Sequence, residues 1–201
     1  MSIVRKTINL IVLLGFIGSS LFTALPVYTE AYALPDTGND VNAPALEPQL
    51  INDNKNAKTA VSVTAGSLFT YSVSQNGNKA PSTGGVVGQY AYAASKGSIG
   101  LIAHNYLAGA SFYSLTAGTE VTVDFSDGTT QTFVVQTARR YQATDPDDYG
   151  KPFIDQRGKQ VSTRQVFNQN YKQGKVTFQT CITKDGINTW GLVFIIAVPK
   201  K

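Results

Sequence analysis

Short apolar segments, some alternating with polar positions at the two-residue period of β-strands, recur along the chain after its first sixty residues. From Ala60 onward, short segments rich in Val, Thr, Tyr and Phe are divided by Gly, Asn and Asp. Residues 97–103 form one apolar segment that ends at His104. Residues 121–125 alternate apolar and polar, and residues 132–137 do so less cleanly. Ser126-Asp127-Gly128 lies between them and has hairpin turn chemistry, so the pair predicts a hairpin. The strand pattern lapses over 142–175, where Asp145-Pro146-Asp147-Asp148 and Gly150-Lys151-Pro152 are turn material. Ser162, with Gln165 three residues on, predicts a capped short helix with Val166, Phe167 and Tyr171 near one face. Two segments close the chain, 175–182 and 192–198, joined by a turn through Lys184-Asp185-Gly186-Ile187-Asn188. The second is nearly continuous in apolar residues, as expected of a central strand covered on both faces. Strands outnumber helices, and an antiparallel-dominated barrel or sandwich is the expected architecture.

The front of the chain has a different texture. Arg5 and Lys6 precede an apolar run from Ile8 to Leu25, interrupted by Asn9, Ser19 and Ser20. Ala31-Tyr32-Ala33 fits the small-x-small pattern of signal-peptide cleavage, which places the cut after Ala33. The run is also long enough for an uncleaved membrane anchor, and positive charge ahead of it leaves the remainder outside in either case. Residues 34–60 are rich in Asn, Asp, Pro and Ala and read as a flexible linker. The expected division is therefore 1–33 signal peptide or membrane anchor, 34–60 linker and 61–201 folded domain. The expected location is extracytoplasmic, secreted or anchored at the cell surface.

Composition narrows the chemistry. Hydrophobic residues are 42% of the chain and charged residues 15%, enough apolar material for a core. The net charge of +4 is scattered rather than gathered into a stripe, which argues against nucleic acid as a partner. One Cys and one His, Cys181 and His104, cannot build a Cys/His zinc site, and no cofactor is expected. A lone thiol in an exported protein has no disulfide partner in its own chain, so it is either a reactive group or a buried inert one. One Cys and one His are the minimum equipment for thiol-based acyl transfer.

The run Thr177-Phe178-Gln179-Thr180-Cys181 resembles the Thr-Leu-x-Thr-Cys signature of the sortases, the cell-surface cysteine transpeptidases of bacteria, with Phe178 in place of Leu. The order is also similar: a histidine at the end of one strand, then a cysteine at the end of a later one. Phe112, Leu115, Gly118 and Val121 resemble the family's path from the histidine to the next strand, and a short turn and an apolar strand follow the cysteine. The resemblance covers roughly 84–199. It implies a mostly β, sortase-like barrel with short helices, in which residues 142–175 form a substrate-facing loop. One departure stands out. Sortases carry an arginine early in the last strand, and here Leu192 occupies that place. Arg139, Arg140, Arg157 and Arg164 are the cations able to substitute.

The mechanism that this resemblance implies is attack by Cys181 on a peptide carbonyl of a sorting signal, giving a thioacyl-enzyme. His104 protonates the departing amine and then takes a proton from the incoming one. Thr180 is the expected oxyanion support, through its hydroxyl or its backbone N–H. The implied partners are surface proteins bearing sorting signals and an amine acceptor of the cell wall or of another protein, with the membrane as a further contact if the leader is retained. Leu34-Pro35-Asp36-Thr37-Gly38 has the form of a sorting signal within the linker, and it is either a pseudosubstrate or self-processing site or a chance match. The main alternative is a catalytically degenerate sortase fold that binds wall or surface peptides without turnover. An L,D-transpeptidase is disfavoured because Gln179-Thr180, rather than His-Gly, precedes Cys181. A plain β-rich adhesin leaves the thiol unexplained.

Overall fold

The computed structural model describes residues 58–201, so the expected leader and almost all of the expected linker, Leu34–Gly38 included, lie outside the described residues. Ten strands are present: β1 (Ala60–Ala65), β2 (Phe69–Ser74), β3 (Val86–Gln89), β4 (Ile99–Ile102), β5 (Glu120–Phe125), β6 (Thr130–Ala143), β7 (Phe153–Ile154), β8 (Gln160–Val161), β9 (Val176–Lys184) and β10 (Ile187–Pro199). Two short helices, α1 (Ala91–Ser95) and α2 (Thr163–Asn170), and a 3-10 segment at Ala108–Ser114 complete the elements. The strand order is β10-β9-β4-β3-β2-β1-β5-β6, and β6 pairs back onto β10. Eight strands therefore close into a barrel, while β7 and β8 extend from the end of β6. Closure removes the free edges that an open sheet of this size would carry.

Most of the predicted elements are present. The Ser126–Gly128 turn joins β5 to β6, though β6 runs on to Ala143, well past the segment that its alternation marks. Asp185 and Gly186 both have positive φ, 52° and 78°, the geometry of a two-residue hairpin turn between β9 and β10. That tight turn extends β10 back to Ile187, earlier than its apolar run begins. Helix α2 starts as expected: the Ser162 side chain accepts from the Gln165 N–H, and Gln165 Oε1 accepts from the Ser162 N–H at 2.9 Å.

Strand alternation sorts the apolar residues into two clusters. One lies inside the barrel and includes Val63, Leu101, Phe112, Phe133, Val176, Phe178, Val193 and Ile195. The other lies on the opposite face of the same strands and gathers Ile102, Tyr141, Leu192 and Phe194 under Tyr90, Tyr149, Phe153, Phe167 and Tyr171. The excursion between β6 and β9 thus has a packing role: its helix and its short β7–β8 pair cover the outer face of the barrel wall. Phe167 packs edge-on to Phe194 with ring centroids 5.7 Å apart, and Tyr171 does so at 5.9 Å. No helix among the described residues is long and apolar enough to cross a membrane.

Because α2 is only eight residues long, its N-cap carries a large share of its local stability. Ser162→Ala is expected to lower unfolding stability by about 1 kcal/mol. Urea denaturation should show this as a lower midpoint at unchanged slope, and Ser162→Asp should restore most of the loss.

Candidate functional site

Strands β4 and β9 run parallel, with Ile99 opposite Val176 and Ile102 opposite Gln179. The pairing continues past the end of β4. The Ala103 N–H donates to the Gln179 carbonyl at 3.3 Å, and Thr180 Oγ1 donates to the Ala103 carbonyl at 2.8 Å. One further step along the chain from each is His104, just beyond β4, and Cys181, within β9. Alternation along β9 gives Cys181 the outer face, together with Gln179. Neighbouring strands are about 4.8 Å apart, so the parallel pairing brings the backbone that leads into residue 104 beside the β9 backbone that leads into residue 181.

Each position has its own support. The His104 carbonyl accepts from the N–H groups of Leu107 and Gly109, both at 3.0 Å, which fixes a tight turn directly after β4. The His104 ring stacks on Tyr106, with centroids 5.1 Å apart. Asn105 Nδ2 donates to Thr183 Oγ1 at 2.7 Å and to the Asn188 carbonyl at 3.2 Å, tying this turn to the β9–β10 hairpin. Gly109 is required where it stands. A Cβ there would run into Thr180 Oγ1 and lie 2.6 Å from the His104 carbonyl.

Cys181 is half-buried at the edge of the outer cluster. Two phenols address it. Tyr113, on the 3-10 segment, donates its hydroxyl to the Cys181 carbonyl at 2.6 Å. Tyr149, from the excursion, places its hydroxyl 3.5 Å from Cys181 Sγ, 3.0 Å from the Thr189 carbonyl and 3.5 Å from the Gly191 carbonyl. Tyr149 is itself anchored, because Thr163 Oγ1 donates to its carbonyl at 2.8 Å. Burial pushes the Cys181 thiol up from its ordinary value, and the Tyr149 hydrogen bond pulls the other way. Burial, followed by the neighbouring Cys181, raises Tyr113 to about 12, with Arg140 opposing. Burial raises Tyr149 further still. Both phenols are therefore protonated donors at neutral pH.

Thr180 faces the other way. It is 2% exposed and faces the barrel interior, with its hydroxyl committed to Ala103. That hydroxyl is therefore already committed within the barrel rather than turned toward the thiol. Leu192 lies directly opposite Cys181 on β10, 1% exposed, so hydrocarbon stands where a cation was expected. Of the four arginines, Arg139 donates to the Gln169 carbonyl at 3.1 Å and Arg157 pairs with Asp155 at 3.3 Å. The charge of Arg164 is felt at Tyr92, and that of Arg140 at Tyr113. Arg139, Arg140 and Arg157 line a separate cleft of about 580 Å³ with Lys172 and Gln169. Among the described residues no arginine hydrogen-bonds Cys181, and no cluster of three or more His, Cys, Asp or Glu side chains could hold a metal ion.

Sequence reasoning missed both phenols. Tyr113 lies in a 3-10 segment that carries no strand or helix pattern. Tyr149 follows three acidic residues in a turn-rich stretch, and its one signal is an aromatic ring where polar residues are the rule.

No family model matches the chain, and no curated protein does. Among solved structures, the chain is similar to sortase C from Clostridium perfringens SM101, at 12% identity over 71% of this chain and 70% of that one, with a TM-score of 0.44. It is similar to sortase A from Corynebacterium diphtheriae, at 12% identity over 72% of this chain and 62% of that one, with a TM-score of 0.48. It is also similar to sortase C-1 from Actinomyces oris, at 15% identity over 70% and 72%, with a TM-score of 0.47. At these values the likeness transfers no chemistry to this chain.

The raised thiol has a direct readout. Iodoacetamide reacts with the thiolate, so its rate rises tenfold per pH unit below the thiol pKa and then levels off. In the folded protein the plateau should begin at higher pH than for Cys181 in the urea-unfolded chain. A folded-state plateau at lower pH would mean that a positive charge, not burial, governs the sulfur.

Proposed function

We propose that the protein is a sortase-type cysteine transpeptidase that acts outside the cytoplasm. The observation that carries the reading is the placement of its one cysteine: half-buried, on a strand held in parallel register with the strand that leads to its one histidine. Cys181 is the nucleophile. Its sulfur adds to the carbonyl of a sorting-signal peptide, the C–N bond breaks, and His104 delivers a proton to the leaving amine. An incoming amine then attacks the thioester, His104 takes its proton, and the thiol is regenerated. The neutral thiol favoured by burial fits a resting state in which Cys181 hands its proton to His104 only as the reaction begins. Substrate approaches over the outer face, where the excursion borders the sulfur. The partners are surface proteins with sorting signals and an amine donor of the cell wall or of a second protein. The leader at 1–33 would deliver the domain across the membrane.

A second reading is supported by Leu192 opposite the thiol: a degenerate member of this fold that binds such peptides without turnover. One experiment separates the two. With a Leu-Pro-x-Thr-Gly peptide and an amine acceptor, Cys181→Ala and His104→Ala should each reduce transfer by at least about 100-fold while leaving the melting temperature nearly unchanged. Mass spectrometry of the wild type should trap an adduct on Cys181 that hydroxylamine removes. Peptide binding with no adduct and no transfer would leave the binding reading. Transfer undiminished in Cys181→Ala would end the enzyme reading.

A further inference from the structure

The outer face presents a problem for any reaction at Cys181. Burial disfavours the thiolate, and the neighbour across the strand is Leu192 rather than a cation. A nucleophilic sulfur in such a place needs a donor. The Tyr149 hydroxyl reaches it at 3.5 Å. That hydroxyl has a single proton. In the resting arrangement the Thr189 carbonyl, at 3.0 Å, is its nearest acceptor. A small rotation of the O–H about the fixed ring redirects the proton to sulfur without moving a heavy atom. The ring is buried at 7% exposure and packs against Phe153, with centroids 5.6 Å apart, while Thr163 holds the Tyr149 backbone.

We propose that Tyr149 is a catalytic residue, the hydrogen-bond donor that stabilises the Cys181 thiolate in place of a cation. Cys181 gives its proton to His104, and Tyr149 keeps its own while swinging its O–H from the Thr189 carbonyl to the sulfur. No bond to Tyr149 forms or breaks. As sulfur bonds to the substrate carbonyl its charge moves to the carbonyl oxygen, and the Tyr149 O–H returns to Thr189. Because burial holds the phenol in its protonated form, it donates across the whole working pH range. Tyr113 has a different part: its hydroxyl goes to the Cys181 carbonyl, so it positions the residue and does not touch the reacting atom.

This assignment rests on Cys181 being the nucleophile, but its test requires no peptide. The pH dependence of iodoacetamide alkylation is measured for the wild type, Tyr149→Phe and Tyr113→Phe. Loss of a hydrogen bond to an ionised sulfur should raise the thiol pKa by about one unit, and so slow alkylation of Tyr149→Phe about tenfold at pH 7. Tyr113→Phe should change it less than threefold. A Tyr149→Phe rate within threefold of the wild type, or one slowed no more than that of Tyr113→Phe, overturns the assignment. Should Tyr149→Phe fail to fold, 3-fluorotyrosine placed at 149 provides the second measurement. Its more acidic phenol donates more strongly and should speed alkylation at pH 7, and no increase overturns the assignment. Either failure leaves Cys181-dependent transfer standing, whereas loss of Cys181 dependence with an intact Tyr149 effect removes the enzyme reading alone.

Discussion

The parallel pairing of β4 with β9 is the constraint from which the rest of the site follows. Parallel neighbours cannot be joined by a hairpin, and here Ala103 and Thr180 meet although they are 77 positions apart in the chain. Closing so long a loop has an entropic cost, but that cost grows only with the logarithm of length. Burial on both sides of the pair offsets it. Leu101, Val176 and Phe178 are fully excluded from water inside the barrel, while Ile99 and Ser98 both hydrogen-bond the Lys175 carbonyl where the strands come together. Register matters as much as adjacency. A slip of one residue would turn Phe178 out of the barrel and Cys181 into it. The core that specifies the register therefore also specifies which face receives the thiol.

The two faces of β9 are supported differently. Inward residues meet hydrocarbon. On the outward face, Thr177, Gln179 and Cys181 are each met by a group from the excursion between β6 and β9. Thr177 Oγ1 donates to the Asn170 carbonyl at 2.8 Å, the Tyr171 hydroxyl donates to Gln179 Oε1, and the Tyr149 hydroxyl reaches Cys181. Buried polar groups without partners are costly, so these contacts bind the excursion to the barrel wall as firmly as its aromatic rings do. The same segment that covers the wall thereby completes the surroundings of the sulfur. Fold and site share these contacts, and a change in α2 or its cap is transmitted to the thiol through Thr163 and Tyr149.

What could be read from the chain was what is local. The alternation of 121–125, the Ser126–Gly128 turn, the Ser162–Gln165 cap and the apolar closing strand each depend on residues within a few positions of one another, and each is present. The parallel pairs β2–β3 and β4–β9 were not legible, because strand alternation carries no partner and no direction. Helix α1 is five residues long and the 3-10 segment seven, too short for periodicity to register. Cys181 and His104 stood out by their rarity, and their neighbouring strand positions follow from the register. The Thr180 side chain turns inward for a definite reason. Adjacent residues on a strand face opposite ways, so the residue before an outward cysteine points into the barrel.

Replacing a guanidinium by a phenol changes the character of such a site. A hydrogen bond to a charged group contributes about 1.5–3 kcal/mol, whichever donor makes it, but a cation adds a long-range field that a phenol lacks. With Leu192 beside the sulfur, the hydrogen bond from Tyr149 is short-ranged and directional, and it depends on that ring being held in place. Such a site is sensitive to small displacements of the excursion, since a hydrogen bond weakens steeply with angle where a Coulomb attraction would not. Burial also favours the neutral thiol, the form less open to oxidation. In this arrangement burial and the Tyr149 hydrogen bond act on the sulfur in opposite directions, and both come from the packing of the excursion on the barrel.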